Sequence, residues 1–181
     1  MGRFQRRHIR GSLILGAALT LSPAILPPRV VADPHPRQEV TVLTVNNGQE
    51  VLVDLDGEGR AVRLACIQAP LAEQRPWAQN ATDQLRRSLQ PGNGVVLELR
   101  ARDVYGRIVA RLINEGADVA APLLKQGAVF AYDGYLGQCN DVDYNRLERE
   151  AKAAQLGIWS VQGGIERPWN LIEASGGRLE P

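Results

Sequence analysis

Between residues 39 and 67, three runs rich in β-branched residues and leucine are separated by nothing longer than a turn. Residues 39–45 and 50–55 flank Asn46-Asn47-Gly48, and Asp54-Leu55-Asp56-Gly57-Glu58-Gly59 leads into residues 61–67. Asn-Gly and Asp-Gly supply the positive φ angles that tight hairpins need, so the runs read as successive strands of a meander. The clustered acids of the second turn also suggest a calcium loop. They lack the glycine position and downstream glutamate of an EF-hand, which leaves a hairpin turn as the better reading.

After Pro70 the period changes. Trp77, Ala81, Leu85 and Leu89 recur at four-residue steps before Pro91-Gly92, as on one face of an amphipathic helix. β-like runs return at 95–101 and 107–113, joined by 103–106. Residues 119–126 suggest a short helix with Pro122 in its first turn and Gly127 as its stop. Residues 144–156 give a clearer one, with Leu147, Ala151 and Ala154 on one face and Gly157 at the end. Beyond Trp159 the chain is glycine-rich and weakly patterned, although Trp169 and Ile172 are suited to pack back onto the domain. The fold class is α+β, mainly β. Five short strands and about three helices fit a five-stranded Greek-key barrel of the OB type, and the periodicity also fits a different α+β domain.

Arg3, Arg6, Arg7 and Arg10 form a basic head before an apolar run over residues 13–26, the pattern of a secretory signal peptide covering residues 1–32. That run contains Ser22 and Pro23 and falls short of the roughly 20 residues a bilayer span needs, so no stable span is expected after cleavage. Arg6-Arg7 would also suit a twin-arginine signal. The expected product is exported, to the periplasm or the medium. Residues 33–38 read as a linker, 39–161 as the domain and 162–181 as a C-terminal tail.

Residues 1–32 hold five of the 21 basic residues and no acid, so the remainder carries 16 basic against 20 acidic residues, a formal charge of −4. Such a domain does not attract polyanions through its overall field, which argues against a DNA-coating protein; nucleic-acid binding would need a local cluster. The length after cleavage suits one domain, expected to be a monomer. Cys66 and Cys139 lie in no Cys-x-x-C or Cys/His cluster, so no zinc site is indicated. Export would favour a disulfide between them, and two buried thiols are the equal alternative.

Four short motifs stand in order along the chain: Val62-Arg63-Leu64 running into Ala69-Pro70, Asp103-Val104-Tyr105-Gly106-Arg107, Lys125-Gln126-Gly127-Ala128, and Leu147-Glu148-x-x-Ala151 closing on Gly157-Ile158-Trp159-Ser160. Together they resemble the staphylococcal nuclease (thermonuclease) family. The resemblance implies an OB-fold core and, in active members, calcium-dependent cleavage of DNA and RNA phosphodiesters. By the same resemblance Arg63 and Arg107 match the family's phosphate-binding pair, a role the planar guanidinium fork suits. Asp103 and Tyr105 fall at the nucleotide-binding edge, and Tyr132 or Tyr135 corresponds to a second tyrosine there, where a ring could stack on a base.

The acids that the resemblance leads one to expect are missing. Asn47-Gly48-Gln49-Glu50 stands where active members begin the calcium site with Asp-Gly-Asp-Thr, so Gln49 takes a metal-ligating aspartate's place. Gln68-Ala69-Pro70-Leu71 stands where they carry the second calcium aspartate and the glutamate that activates water. Exchanging two carboxylates for amides should weaken calcium binding sharply. No resident cofactor is therefore expected, with Ca²⁺ required only if activity persists. Glu73 and Glu50 are the candidate replacement acids; His35, the one histidine after residue 32, lies in the linker. The sequence thus points to an exported phosphate-binding or nucleic-acid-binding protein of weak or lost catalysis, its partners single-stranded DNA or RNA or nucleotide phosphates. An active secreted nuclease and a structural or protein-binding domain are the alternatives.

Overall fold

The computed structural model describes residues 1–2, 35–103, 105–132 and 139–177; residues 3–34, with most of the segment read as a signal peptide and its expected cleavage point, and Tyr135 lie outside the described residues. The described residues from 35 onward form one compact unit. Strands β1 (Arg37–Asn47), β2 (Glu50–Leu55) and β3 (Glu58–Leu64) make the expected meander. Its second turn places Asp56 and Gly57 at φ 56 and 82°, and the Asp54 carboxylate accepts a hydrogen bond from the Gly57 N–H at 2.8 Å. The two-residue β4 (Ile67–Gln68) precedes helix α1 (Trp77–Ser88), and β5 (Gly94–Arg102) and β6 (Ile108–Asn114) follow. After these come β7 (Ala117–Asp118), α2 (Ala120–Lys125), β8 (Phe130–Ala131), α3 (Tyr144–Ala153), a 3₁₀ turn (Gly157–Trp159) and α4 (Pro168–Ala174).

The main sheet runs β3-β2-β1-β5-β6-β7, and a parallel pairing of β3 with β6 closes it into the five-stranded barrel. Val42, Val51, Val53, Val62, Val109 and Leu112 are fully buried inside. Helix α1 lays Ala81 and Leu85 against this core, the face its four-residue spacing marked out. Among the described residues no helix is long and apolar enough to cross a membrane.

Three elements depart from the sequence reading. Strand β1 begins at Arg37, inside the segment read as linker, because residues 37–41 pair with 94–98 of β5. Helix α3 stops at Ala153 and not near 156; Gln155 takes φ 52° and Gly157 φ 55°, and a Cβ on Gly157 would lie 2.1 Å from the Gly127 carbonyl oxygen. Helix α4 forms where no pattern was visible.

Cys66 and Cys139 are joined in a disulfide with Cα atoms 5.7 Å apart. Beside it runs a buried ionic network. Glu98, 2 % exposed, accepts hydrogen bonds from Arg100, from Arg111 at 2.8 Å and from Arg37 at 3.0 Å. Arg100 continues to Asp141, and Arg111 to Asp118, which also accepts from the Tyr144 hydroxyl. The network fastens β5, β6 and β7 to the start of α3.

Candidate nucleic-acid site

Closure of the barrel brings the two arginines together. Arg63 on β3 sits opposite Glu50 on β2 and beside Val109 on β6, while Arg107 immediately precedes β6. Both line a cavity of about 520 Å³ bordered also by Gln49, Glu50, Gln68, Leu71, Tyr105 and Ile172. Arg63 is only 6 % exposed, and its Nη2 donates to Gln68 Oε1 at 2.8 Å. Burial, and then the like charge of Arg107, push the Arg63 guanidinium below its ordinary value, against a smaller opposing effect of Tyr132 and Asp103. An arginine stays charged regardless, and Glu50 is the one acid among the described residues that border the cavity.

The 103–107 turn aims Arg107. The Asp103 carboxylate, its side chain fully buried, accepts hydrogen bonds from the Tyr105 N–H at 3.0 Å, the Arg107 N–H at 2.8 Å and the Arg107 Nε–H. Burial raises this carboxyl, but the Arg107 side chain and then the two backbone donors outweigh it and hold it below the usual carboxylate range. Asp103, expected among the substrate-binding residues, is absent from the cavity border and acts by positioning Arg107. Gly106 at φ 77° lets the chain turn back within this span. Tyr105 is 69 % exposed, with the Arg107 guanidinium 5.5 Å from its ring centre. Tyr132 is half-buried and does not border the cavity; its ring stacks on Trp169 at 4.8 Å and 15°.

The remaining candidates divide by position. Gln49 and Gln68 both border the cavity, yet Gln49 Oε1 accepts from the Ala69 N–H at 2.6 Å and Gln68 Oε1 from Arg63. The turn that carries Gln49 is pressed against α1, since a Cβ on Gly48 would lie 2.6 Å from Ala81 Cβ. Glu50 reaches the cavity and accepts from Asn46 Nδ2 at 2.8 Å. Glu73 is exposed on the loop after β4 and is not at the border.

Sequence reasoning missed two contributions. An adjoining groove shares Tyr105 and Arg107 with the cavity and adds Arg60 and Arg102, so a basic path continues past the pair. Arg102 directly precedes the Asp103 motif, which was the available signal. Ile172 comes from α4, for which the chain offered only its apolar character.

A family model described as "Staphylococcal nuclease homologue" matches residues 61–161, from β3 through the 3₁₀ turn. Endonuclease YncB of Bacillus subtilis is 27 % identical over 146 residues, covering 73 % of this chain and 69 % of its own. The SPbeta prophage-derived endonuclease YokF of the same organism is 28 % identical over 136 residues, covering 70 % of this chain and 46 % of its own. A probable endonuclease LCL3 of Verticillium alfalfae is 32 % identical over 121 residues, covering 60 % and 42 %. This chain thus spans less than half the length of the last two. With the family match extending over more than half of the chain and taking in both arginines of the pair, this protein belongs to the staphylococcal nuclease homologue family.

Proposed function

We propose that this nuclease-family domain is exported and monomeric, and binds the phosphates of single-stranded nucleic acid with its phosphodiester-cleaving chemistry lost or greatly reduced. The observation that carries this reading is the content of the cavity: two convergent arginines with one carboxylate, Glu50, at the border. Calcium takes six to eight hard oxygens with net negative charge. Here the amide oxygens of Gln49 and Gln68 already accept hydrogen bonds, Glu50 holds Asn46, and Leu71 offers no donor. The residues present therefore do not fit a resident calcium ion, and no step is routed through one. Phosphate binding needs none: the arginine forks match phosphoryl oxygens, Tyr105 offers a stacking ring, and Arg60 and Arg102 extend the path for a longer polyanion. The basic head and apolar run of residues 1–32 support export.

Replacing Arg63 or Arg107 with alanine is expected to weaken binding of a fluorescent single-stranded oligonucleotide about 10- to 100-fold, since charge-assisted hydrogen bonds carry about 1.5–3 kcal/mol each. Affinity should fall with salt, less steeply in each variant because one phosphate contact is gone. Fluorescence anisotropy across a salt series checks both, and salt-insensitive binding would favour a structural role.

A second reading, an active hydrolase with Glu50 as the replacement acid, draws support from the place of Glu50 at the border and from relatives named endonucleases. The two readings separate in one cleavage assay with calcium or chelator. Under the first, the unmodified protein is silent, and joint restoration by Gln49→Asp, Gln68→Asp and Leu71→Glu yields calcium-dependent cleavage. Under the second, the unmodified protein cuts and Glu50→Gln abolishes cutting.

A further inference from the structure

Residues 166–177 lie beyond the family match and return across the barrel as a strap. Gln74 Nε2 donates to the Glu166 carbonyl at 2.7 Å, fixing the strap to the loop after β4. The Arg167 guanidinium packs over Trp159 at 4.5 Å, Phe130 at 4.6 Å and Trp169 at 5.7 Å. Its buried Nη1 has no hydrogen-bond partner among the described residues, so contact with the ring faces is what compensates its charge. Trp169 then stacks on Tyr132 and meets Phe130 edge-on, with centroids 5.6 Å apart. One turn further, Ile172 forms part of the border of the arginine cavity.

Phe130 stands opposite Gln68, which holds Arg63, and Tyr132 follows two residues on, its N–H bonded to the Cys66 carbonyl; the two rings leave β8 on one face, under Trp169, on the side of the ribbon that carries Gln68. A ring in that position is a ready platform for the base attached to a bound phosphate. The strap has already laid an indole on it. We propose that the strap is a specificity-determining element: Trp169 takes the place of a nucleobase on Tyr132, so the site selects the phosphodiester backbone of a strand and discriminates against free nucleotides. Bases are left to Tyr105, which is exposed and also borders the cavity. Substrates of this site are strands held by successive phosphates, along the path that Arg60 and Arg102 prolong. Ile172 adds an apolar wall with no donor for base edges.

The inference rests on the phosphate-binding reading above, and calorimetric titration of the full chain with thymidine 5′-phosphate and with inorganic phosphate keeps the two apart. Trp169→Ala should raise nucleotide affinity on the order of 5- to 100-fold, the range that one base–aromatic stack accounts for, and leave inorganic phosphate unchanged. Adding Tyr132→Leu should remove the gain. Trp169→Leu retains apolar packing on Phe130 and serves where the alanine variant does not fold, because leucine cannot compete with a flat base for the tyrosine face. Unchanged nucleotide affinity in a folded variant that still binds phosphate overturns the role of the strap. Absence of phosphate binding in the unmodified protein overturns the reading of the cavity, and this inference with it.

Discussion

Glu98→Gln is expected to lower the free energy of unfolding by about 3–5 kcal/mol, measured as a reduced denaturant midpoint at unchanged slope. Glu98 is the shared anion of Arg100, Arg111 and Arg37, and the Arg100 side chain is wholly buried. An amide there removes the charge that three guanidiniums share and turns an NH₂ donor toward them, leaving the buried Arg100 with only the half-exposed Asp141 carboxylate as its counter-charge. Domains of this kind are stable by about 5–15 kcal/mol, so the loss is a large fraction of the whole. The effect also depends on pH. Burial would raise the Glu98 carboxyl, but the Arg100 hydrogen bond and then the charge of Arg111 outweigh it and hold it below the ordinary 4.5. A carboxyl depressed by folding contributes stability that is complete above its unfolded value and is lost as pH falls through its folded one. Stability should therefore be level above about pH 5 and decline below about 4.5, less steeply in Glu98→Gln. Asp103, depressed in the same direction from 3.8, adds to the decline.

Cys66→Ser or Cys139→Ser should cost about 4 kcal/mol, because the bridge closes a loop across a sequence separation of 73 and removes that freedom from the unfolded chain. Reductant should lower the thermal midpoint of the unmodified protein by the same mechanism and leave either serine variant unaffected. The consequence reaches the cavity. Cys66 lies between Arg63 and Gln68, takes φ 65°, and accepts a hydrogen bond from the Tyr132 N–H at 3.0 Å through its carbonyl. Loss of the bridge therefore loosens the segment that holds Arg63 and Tyr132 in register, and oligonucleotide binding should weaken alongside stability.

Much of this fold was legible because its determinants are local. The Asp56-Gly57 turn requires positive φ at two successive residues, and the run from Trp77 to Leu89 keeps one apolar face, so neighbouring residues were enough to read both. The ionic network was not legible. Leu97 and Glu98 are consecutive and both buried, so the two-residue alternation breaks inside β5, where pairing with β6 shifts register between Leu99 and Ala101. Helix α4 was invisible for a different reason. It is short and its holding contacts reach back to Phe130, Tyr132 and Gln74, partners that no window around residues 168–174 contains.

The site divides along the same line. The motifs around Arg63 and Arg107, and the amides at positions 49 and 68, stand in the chain itself, since chemical identity and spacing are properties of sequence. Tertiary structure decided the rest. It chose Glu50 over Glu73 at the cavity border, turned Asp103 inward to aim Arg107, and brought Trp169 onto Tyr132 and Ile172 to the rim. Each of these depends on the direction in which a side chain leaves the backbone and on what lies across from it. Those quantities are set by the closure of β3 on β6 and the docking of α4, which form only when residues distant in sequence bury surface together.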